Sequence, residues 1–394
     1  MENFIYHSPT KFIFGKDTEC TVAEQIHALG GTRVLVHYGS ASAVRSGLLD
    51  RILSCLDAAG LPHIELGGVK PNPRDSLVYK GIALGRKENI DFILAVGGGS
   101  VIDSSKAIGL GLAYEGDFWD FYSQKAVPKA TIPVGSVLTI AAAGSESSNA
   151  AVITQEKTML KRALNYEILR PRFAILNPEL TYTLPPYQTA SGAVDIMAHI
   201  LERYISDTTG VEFTDRLCEG TVLTVMSELP KVLKNPFDYD GRANLMFAAA
   251  LSHNNIFGVG RVQDWASHKM EHELSGLYDV AHGAGLAVMM PAWMLNVYQH
   301  NLDRFCQFAV RVFGKSPSED KDTLAKAGIE ELRSFFRSVG MPVSFREIGA
   351  KREDIPLLVE KTLTGTGGTV GSFVPLNAAL LTKCFETAAN FDHE

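Results

Sequence analysis

Short apolar runs alternate with amphipathic segments through the first half of the chain, as strands alternate with helices. Residues 91–96 are one continuous apolar run, which is typical of a parallel strand buried on both faces. The alternation favours a βαβ architecture with a mainly parallel sheet. It predicts strands at 11–14, 33–38, 63–69, 91–96, 131–140, 150–153 and 173–176, and helices at 43–59, 76–88 and from residue 100 to 112.

The pattern changes to helical periodicity after Leu184-Pro185-Pro186. Proline can open a helix but cannot continue one, so this pair marks a boundary. Helices are predicted at 187–205, 213–233, 241–257, 263–277, 282–300, 302–313, 320–339, 352–363 and 377–390. The glycine-rich stretch 363–372 predicts a flexible surface loop. We therefore predict an α/β domain over 1–184 and an all-α domain over 185–394.

Composition narrows the choice of partners. The chain of 394 residues is 46% hydrophobic and 21% charged, an ordinary globular balance. Its net charge of −7, with no basic block, argues against nucleic acid or an anionic membrane as partner. No apolar window of about 18 residues predicts a membrane span. The five scattered cysteines, without a CxxC pair, predict reduced thiols in a cytoplasmic protein.

A glycine-rich turn follows the buried run at 91–96. Gly97-Gly98-Gly99-Ser100 stands between that strand and a helix, where backbone amides and the helix N-terminus can bind phosphate. It is not the G-x-G-x-x-G fingerprint, and glycines also serve packing alone in such turns, so both interpretations stay open. Thr139 and Ser145 follow the next predicted strand and could line the same edge of the sheet.

Five potential metal ligands lie between Asp195 and His282. Asp195 and His199 are four residues apart, as are His268 and His272, and residues at that spacing share one face of a helix. Taken singly, either pair is better explained as a solvated surface pair. Five such residues within 88 positions, in a chain with 11 histidines, favour a site for a divalent transition metal.

A chain that combines a glycine-rich turn after a buried strand with such a group of metal ligands resembles the iron-containing (group III) alcohol dehydrogenases. The resemblance is to the branch of butanol dehydrogenases and broad-range aldehyde reductases. The most specific segments are Asp264-Trp265-Ala266-Ser267-His268-Lys269-Met270-Glu271-His272 and Tyr278-Asp279-Val280-Ala281-His282-Gly283. Further likeness lies at 4–15, 68–73, 96–106, 181–185 and 192–199, so it covers essentially the whole chain. The resemblance implies a dehydroquinate synthase-like fold, in which an α/β nucleotide-binding domain precedes an all-α metal-binding domain, and a homodimer.

The resemblance also implies roles for individual residues. Asp195, His199, His268 and His282 would bind the metal, which would be Fe²⁺ or, as the alternative, Zn²⁺, since both accept imidazole and carboxylate ligands. His272 would handle a proton rather than act as a fifth ligand. The residues expected to contact the cofactor are Asn72, Gly97, Gly98, Gly99, Ser100, Asp103, Thr139, Ser145 and Lys161.

The implied function is a metal-dependent, nicotinamide-linked alcohol dehydrogenase or aldehyde reductase acting on short-chain primary alcohols and aldehydes. Residues near the ligands are mainly apolar and would form either the substrate pocket or core: Phe257, Val259, Trp265 and Leu277. A metal-dependent lyase or hydrolase on the same scaffold is the alternative. The chain lacks the basic cluster that such phosphate-recognising relatives favour, beyond Lys269 and Arg261. A non-catalytic metal- or nucleotide-binding protein is a third interpretation.

The turn after the strand at 33–38 bears on the choice of cofactor. An acid at this place hydrogen-bonds the ribose 2′-hydroxyl of NAD and repels a 2′-phosphate. Tyr38-Gly39-Ser40-Ala41-Ser42 has no acid and is followed by Arg45. Gly39, Ser40 and Ser42 are therefore expected to contact the cofactor, and NADP(H) is expected to be preferred over NAD(H).

Overall fold

The computed structural model describes residues 1–39 and 42–391 of the chain. The chain forms two compact units. One comprises His7–Leu184 and Ala249–Asn254, and the other comprises Met1–Tyr6, Pro185–Ala248 and Asn255–Glu394. The domain limits 1–184 and 185–394 stay a prediction. Among the helices that the structure describes, none is long and apolar enough to cross a membrane.

The α/β unit contains a parallel sheet of six strands in the order β1-β8-β5-β4-β2-β3, together with an antiparallel pair, β6-β7. Its elements are β1 (Lys11–Phe14), α1 (Val22–Ala28), β2 (Val34–Gly39), α2 (Ser42–Arg45), α3 (Leu48–Ala58), β3 (His63–Val69), α4 (Asp75–Lys87), β4 (Phe92–Gly97), α5 (Gly99–Leu112), α6 (Trp119–Tyr122), β5 (Val134–Leu138), β6 (Ala150–Gln155), β7 (Leu160–Asn165) and β8 (Phe173–Leu176).

The order of the strands creates a switch point between β2 and β4. These strands are neighbours, with Tyr38 opposite Val96. The chain leaves β2 for β3 on one side of the sheet and leaves β4 for β5 on the other. Open α/β sheets bind ligands in the crevice outside the carboxyl ends of two such strands. Gly39 and Gly97, which end β2 and β4, therefore border that crevice.

Both faces of the central strands are covered, which explains their continuous apolar sequence. Side chains alternate between the two faces of a strand. Val34 and Val36 of β2 and Leu94 of β4 belong to one cluster with residues of α1 and α3, namely Val22, Ile26, Ile52 and Leu56. All of these side chains are essentially inaccessible to solvent. Each such burial stabilises the fold by roughly 1.5–3 kcal/mol.

The helices of the second unit are α7 (Pro186–Tyr204), α8 (Glu212–Lys234), α9 (Tyr239–Ser252), α10 (Ala266–Tyr278), α11 (His282–Val297), α12 (Leu302–Phe313), α13 (Lys321–Ser338), α14 (Ile355–Leu363) and α15 (Ala378–Asn390). Residues 249–252 of α9 belong to the α/β unit. Helix α11 lies at the centre of the helical unit and packs against α7, α10, α13 and α15. Every residue of α11 from Gly283 to Met294 is buried. A helix that is apolar all round has to be buried in this way.

The predicted fold, a mainly parallel α/β domain followed by an all-α domain, is confirmed. Several elements differ from the pattern, among them the short helix α6, which was not predicted. The helix predicted at 43–59 is interrupted, because Gly47 adopts a left-handed conformation with φ of 70° between α2 and α3. Strand β7 was missed, because Lys161 and Arg162 weaken its apolar signal and it pairs only with β6.

The glycine-rich stretch 363–372 was predicted to be a flexible surface loop. Its last residues are held by Asp264, whose Oδ2 accepts hydrogen bonds from the backbone amides of Ser372 and of the adjoining Phe373. Val370 is buried and pairs with Leu376 through a β-bridge. The end of this stretch is therefore an ordered part of the helical unit rather than a loose loop.

Candidate active site

The glycine turn leaves no room for side chains at two of its positions. A Cβ at Gly98 would lie 2.2 Å from Cγ2 of Ile140, and a Cβ at Gly97 would lie 2.5 Å from Cγ2 of Val101. The amide of Thr139 donates to the carbonyl oxygen of Gly97 at 3.1 Å, which joins the ends of β4 and β5. The first amides of α5 have no acceptor within the helix. The helix therefore offers free N–H groups and a partial positive charge at this turn.

Two charged side chains of α5, Lys106 and Asp103, hold the turn that follows β5. The Nζ atom of Lys106 donates to the carbonyl oxygens of Ser145 at 2.7 Å, Ser148 at 3.1 Å and Ala150 at 2.7 Å. Asp103 accepts from Oγ of Ser145 at 2.5 Å and from a backbone amide of β6 at 3.0 Å. Burial lowers the pKa of Lys106 to about 8, although Asp103 opposes the shift. Lys106 and Asp103 thus fix the position of Ser145 through hydrogen bonds from α5.

The other residues predicted to bind the cofactor take the following places. Gly39 lies beside the first turn of α5, since a Cβ there would be 3.9 Å from Val101. Asn72 is buried after β3 with φ of 53°, and Lys161 is buried on β7. Ser42 is exposed at the start of α2, and Ser40 lies outside the described residues. Asp103 has both oxygens engaged by its own unit. Contact of all these residues with a cofactor stays a prediction.

Three helices bring the predicted metal ligands together. Asp195 and His199 lie on α7, His268 lies on α10, and His282 is the first residue of α11. One ligand atom each of Asp195, His268 and His282 lie within 4.8 Å of one another. His199 is outside that group of three but adjoins it, with its ring centroid 4.6 Å from that of His268.

The hydrogen bonds of the three imidazoles leave the same nitrogen available in each. Nδ1 of His268 lies 2.9 Å from a carboxylate oxygen of Glu202, and Nδ1 of His199 lies 2.9 Å from the carbonyl oxygen of Asp195. Nδ1 of His282 contacts a carboxylate oxygen of Glu271. Because these oxygens can only accept, each Nδ1 carries the proton and each Nε2 keeps its lone pair.

Two buried polar atoms in this cluster have no hydrogen bond of acceptable geometry among the described residues. They are Nε2 of His268 and Oδ1 of Asp195. The Oδ1 atom lies 3.0 Å from Nδ1 of His199, which bonds the main-chain carbonyl instead, and 3.8 Å from Nε2 of His282. Buried polar groups in proteins are nearly always satisfied, and of the buried side-chain atoms that lack a partner among the described residues, these two belong to predicted metal ligands. An imidazole lone pair and a carboxylate oxygen fit a divalent cation here, because ligand atoms of Asp195, His268 and His282 lie within 4.8 Å of one another.

The charge states also suit a metal. Burial opposes ionisation of Asp195, but the neighbouring imidazoles, His199 foremost, hold the pKa of its carboxyl well below the ordinary value. Burial, followed by the neighbouring imidazoles, lowers the pKa of His268 well below 6.5. At neutral pH the cluster therefore offers an ionised carboxylate and a neutral imidazole, the forms that bind metals.

Two glutamates that the sequence analysis did not assign support these imidazoles. Oε1 of Glu202 accepts from Oγ of Ser267 at 2.6 Å and from the amide of His268 at 3.1 Å, in addition to Nδ1. Burial raises the pKa of Glu202 to about 7, against these hydrogen bonds. Glu202 follows His199 by three residues, and Glu271 follows His268 by three. The i, i+3 spacing could have placed each glutamate near a predicted ligand of its own helix, but not beside the histidine of another helix that it contacts.

His272 lies one helical turn beyond His268 on α10. Its ring centroid is 5.6 Å from that of His282, and its side chain is partly exposed. A ligand atom of His272 also lies within 4.8 Å of one from Glu271 and one from His282. The structure thus places His272 at the edge of the predicted metal centre.

Of the four apolar residues considered for the substrate pocket, Trp265 contacts the cluster. Its ring centroid lies 5.9 Å from that of His199 and 5.1 Å from that of His268. Phe257 and Val259 are buried, and Leu277 is partly exposed. Trp265 is therefore the apolar residue that the structure ties directly to the predicted ligands.

Comparison with known proteins identifies the family. Residues 9–178 match the family described as Iron-containing alcohol dehydrogenase, and residues 189–389 match the Fe-containing alcohol dehydrogenase family, C-terminal. This chain belongs to the iron-containing alcohol dehydrogenase family. As predicted, it lies in the branch of butanol dehydrogenases and aldehyde reductases, and it is an oxidoreductase of the alcohol dehydrogenase type.

Three relatives of this alcohol dehydrogenase span nearly its whole length. NADH-dependent butanol dehydrogenase A of Clostridium acetobutylicum is 38% identical, with 98% of this chain and 99% of that protein covered. NADPH-dependent aldehyde reductase YqhD of Escherichia coli is 37% identical, covering 92% and 93%. The crystal structure of NADH-dependent butanol dehydrogenase A from Thermotoga maritima matches with a TM-score of 0.96 at 38% identity, covering 99% of both chains.

Proposed function

We propose that this alcohol dehydrogenase interconverts short-chain primary alcohols and aldehydes, of the butanol and butanal type, with a divalent metal and a nicotinamide nucleotide. The observation that carries the proposal is the buried pair formed by Nε2 of His268 and Oδ1 of Asp195, which lack hydrogen bonds among the described residues. Burying such groups without a partner costs free energy, which a bound cation offsets. Relatives that are named butanol dehydrogenase and aldehyde reductase support the substrate class.

Asp195, His199, His268 and His282 would bind the metal, with Fe²⁺ as the expected ion and Zn²⁺ as the alternative. When bound, the metal supplies Lewis acidity towards the substrate oxygen, and the nucleotide supplies or accepts the hydride. The hydrogen bonds to each Nδ1 fix the imidazoles so that Nε2 serves as the ligand atom. The family name supports iron at this site.

His272 would move a proton at its imidazole and would not be a ligand. Its partly exposed side chain can exchange protons with water, and it lies next to His282. Imidazole is suited to this role near neutral pH.

An uncharged substrate fits the surroundings of the ligands. Trp265 presents an apolar ring next to His199 and His268. Arg203, one of the cations near the ligands, is buried, stacks on Trp265 at 4.7 Å and donates to the carbonyl oxygen of His199. Its guanidinium is therefore engaged by the protein rather than presented to a substrate carboxylate.

NADP(H) would be preferred over NAD(H). Gly39 ends β2 at the switch point, and no acid occurs between residues 38 and 49 to repel a 2′-phosphate. The relatives include NADH-dependent and NADPH-dependent enzymes, so their names do not decide the preference. The residues proposed to bind the nucleotide are Gly39, Ser40, Ser42, Asn72, Gly97, Gly98, Gly99, Ser100, Asp103, Thr139, Ser145 and Lys161.

Reduction of butanal tests the activity. The metal-loaded enzyme is mixed with butanal and NADPH or NADH, and loss of the reduced nicotinamide is followed by its absorbance. We expect turnover that is lost when a chelator removes the metal. Metal-dependent turnover of a phosphorylated substrate without consumption of nicotinamide would instead favour a lyase or hydrolase. Binding of metal and nucleotide without any turnover would favour a non-catalytic protein.

The charge of residue 42 tests the preference for NADP(H). Replacing Ser42→Asp puts a negative charge where the 2′-phosphate is expected, so the ratio of kcat/KM for NADPH to that for NADH should fall at least about tenfold. Ser54→Asp, the same change at an exposed position of α3, is the control and should leave the ratio unchanged. A wild-type ratio in favour of NADH would contradict the preference itself.

We also propose a homodimer in the cytoplasm. All five cysteines are free, as expected in a reducing compartment. Phe4 and Ile5 are 53% and 94% exposed, and neighbouring exposed apolar side chains are typical of a subunit contact. Light scattering of the purified chain measures the oligomeric state, and a monomer at working concentration would contradict the dimer.

A further inference from the structure

Glu271 is a buried carboxylate that the proposed function uses only to leave Nε2 of His282 available. It lies on α10 between His268 and His272, and it has no solvent exposure. Oε2 of Glu271 contacts Nδ1 of His282, and its Oε1 accepts from Oγ of Ser275 one turn further along the helix. Both oxygens are thus engaged, and one of them is engaged by a predicted metal ligand.

Space for this carboxylate is provided by a glycine of the facing helix. A Cβ at Gly285 of α11 would lie 2.7 Å from Oε1 and 2.8 Å from Cγ of Glu271. No real Cβ approaches so closely without displacing its neighbour, and packed interiors leave little room for such a shift. The absence of a side chain at Gly285 therefore lets Glu271 reach His282, and Ser275 fixes its other oxygen.

His282 needs such support more than His268 does. The His282 side chain is 24% exposed, whereas that of His268 is 5% exposed and its backbone amide also bonds the supporting Glu202. A partly exposed imidazole at the first residue of a helix has more freedom to rotate and to change tautomer. The contact with Glu271 removes that freedom, because the carboxylate accepts only from a protonated Nδ1.

We propose that Glu271, seated against Gly285 and Ser275, is a positioning residue that fixes the tautomer and orientation of His282 and thereby sets how tightly the site holds its metal. This inference rests on the proposed metal site. A carboxylate that accepts from the outer nitrogen of a ligating histidine also makes the other nitrogen a stronger ligand. Glu271 is not itself a ligand, since its oxygens face Nδ1 of His282 and Oγ of Ser275.

The test measures metal binding directly. Glu271→Gln, Gly285→Ala and the wild-type enzyme are stripped, titrated with Zn²⁺ against a competing chelator, and loaded with Co²⁺ for an absorption spectrum of the site. Loss of an outer partner typically weakens metal binding about 10–100-fold. We expect that loss in Glu271→Gln together with an altered Co²⁺ spectrum. Gly285→Ala should act in the same direction, because it displaces the carboxylate while leaving every charge in place.

Glu219→Gln is the matched control. Glu219 is a buried carboxylate of the same unit that bonds Tyr204 and Arg216 rather than a predicted metal ligand. We expect this variant to lower the unfolding temperature of the metal-free protein while its metal affinity stays at the wild-type value. Glu271→Gln should instead reduce mainly the rise in unfolding temperature that metal produces.

Three results would overturn the inference. Wild-type metal affinity and spectrum in both Glu271→Gln and Gly285→Ala would show that the contact does not support His282. Ligand atoms of Glu271, His272 and His282 also lie within 4.8 Å of one another. If the wild-type chain bound two ions and Glu271→Gln lost one of them, Glu271 would be a ligand of a second metal site. A wild-type chain that binds no metal would refute the proposed function, and the inference would fail with it.

Discussion

Asp195 and His268 show how single buried atoms indicate a function. Oδ1 of Asp195 and Nε2 of His268 would each cost free energy if they stayed buried without a partner. The two residues lie on different helices, α7 and α10. Their convergence is therefore a specific feature of the fold. At the scale of the residue, the proposed site predicts distinct phenotypes for ligands and for the proton-handling histidine.

His268→Ala should abolish metal retention and turnover together. Removing one of four ligands leaves an incomplete coordination shell, so we expect metal affinity to fall by more than about 100-fold, beyond the loss typical of an outer partner. Elemental analysis after dialysis measures the retained metal. His27→Ala, at an exposed position near the end of α1, is the control. A His268→Ala enzyme that holds one equivalent of metal at normal activity would remove this residue from the site.

His272→Ala should keep its metal and lose rate. A positioned general acid or base typically contributes about 10²–10⁴-fold, so kcat should fall within that range while metal content stays at the wild-type level. Turnover and elemental analysis of the same preparation measure both quantities. Loss of metal in this variant would make His272 a ligand and end its assignment to proton transfer.

The turns and helices position these side chains. On α10, the i, i+3 and i, i+4 spacings place His268, Glu271 and His272 around one region of the helix surface. In the α/β unit, the glycine turn lies against the segment after β5, and Lys106 ties that segment to α5 through three backbone carbonyls. Because the glycine turn and the segment after β5 approach each other closely, a side chain at Gly98 should disturb both.

Gly98→Ala should weaken binding of the nucleotide. The new methyl group would lie 2.2 Å from Cγ2 of Ile140, and overpacking of this kind costs about 1–3 kcal/mol. We expect the strain to distort the glycine turn, so that the Kd of the reduced nucleotide rises by about tenfold or more while metal content is unchanged. Fluorescence titration measures this Kd. Ile140→Ala combined with Gly98→Ala removes the obstructing methyl and should recover part of the affinity. Unchanged nucleotide affinity in Gly98→Ala would contradict the proposal that the glycine turn binds the nucleotide.

His37 contributes a pH dependence to the stability of the whole molecule. It is fully buried on β2, with Nδ1 2.7 Å from the carbonyl oxygen of Leu66 and Nε2 2.9 Å from Oγ of Ser104 on α5. Burial lowers the pKa of His37 from 6.5 to about 4, against the hydrogen bond to Leu66. As the pH falls below 6.5, the unfolded chain therefore takes up a proton before the folded chain does.

The contribution of His37 should be complete above pH 6.5 and should be lost between pH 6.5 and about 4. Over that window it amounts to roughly 3 kcal/mol, at about 1.4 kcal/mol per unit of pKa. Urea unfolding of metal-free protein at several pH values measures it. His37→Gln keeps a polar side chain that does not titrate, so its free energy of unfolding should fall less on acidification. Equal slopes for both proteins would refute the assignment.

The amino-acid sequence by itself determined the elements and the candidate chemistry. The apolar run at 91–96 and the helical periodicity beyond Pro186 predicted β4 and the helical unit, because periodicity depends only on residues that are close along the chain. The spacing of Asp195 and His199 likewise predicted a shared helix face. The sequence pattern did not predict the interruption at Gly47 or the charged strand β7. The first depends on the local backbone conformation and the second on strand pairing, and hydrophobic periodicity reports neither.

Only the tertiary structure decided which residues meet. His268 and His282 come within 4.8 Å of Asp195 because α7, α10 and α11 pack together, and no sequence spacing encodes that distance. The same packing seats Glu271 in the space left by Gly285. The order of the strands, and with it the switch point between β2 and β4, is likewise a property of long-range pairing. Local patterns specify elements, whereas the free energy of burying their faces against one another selects the arrangement that forms the site.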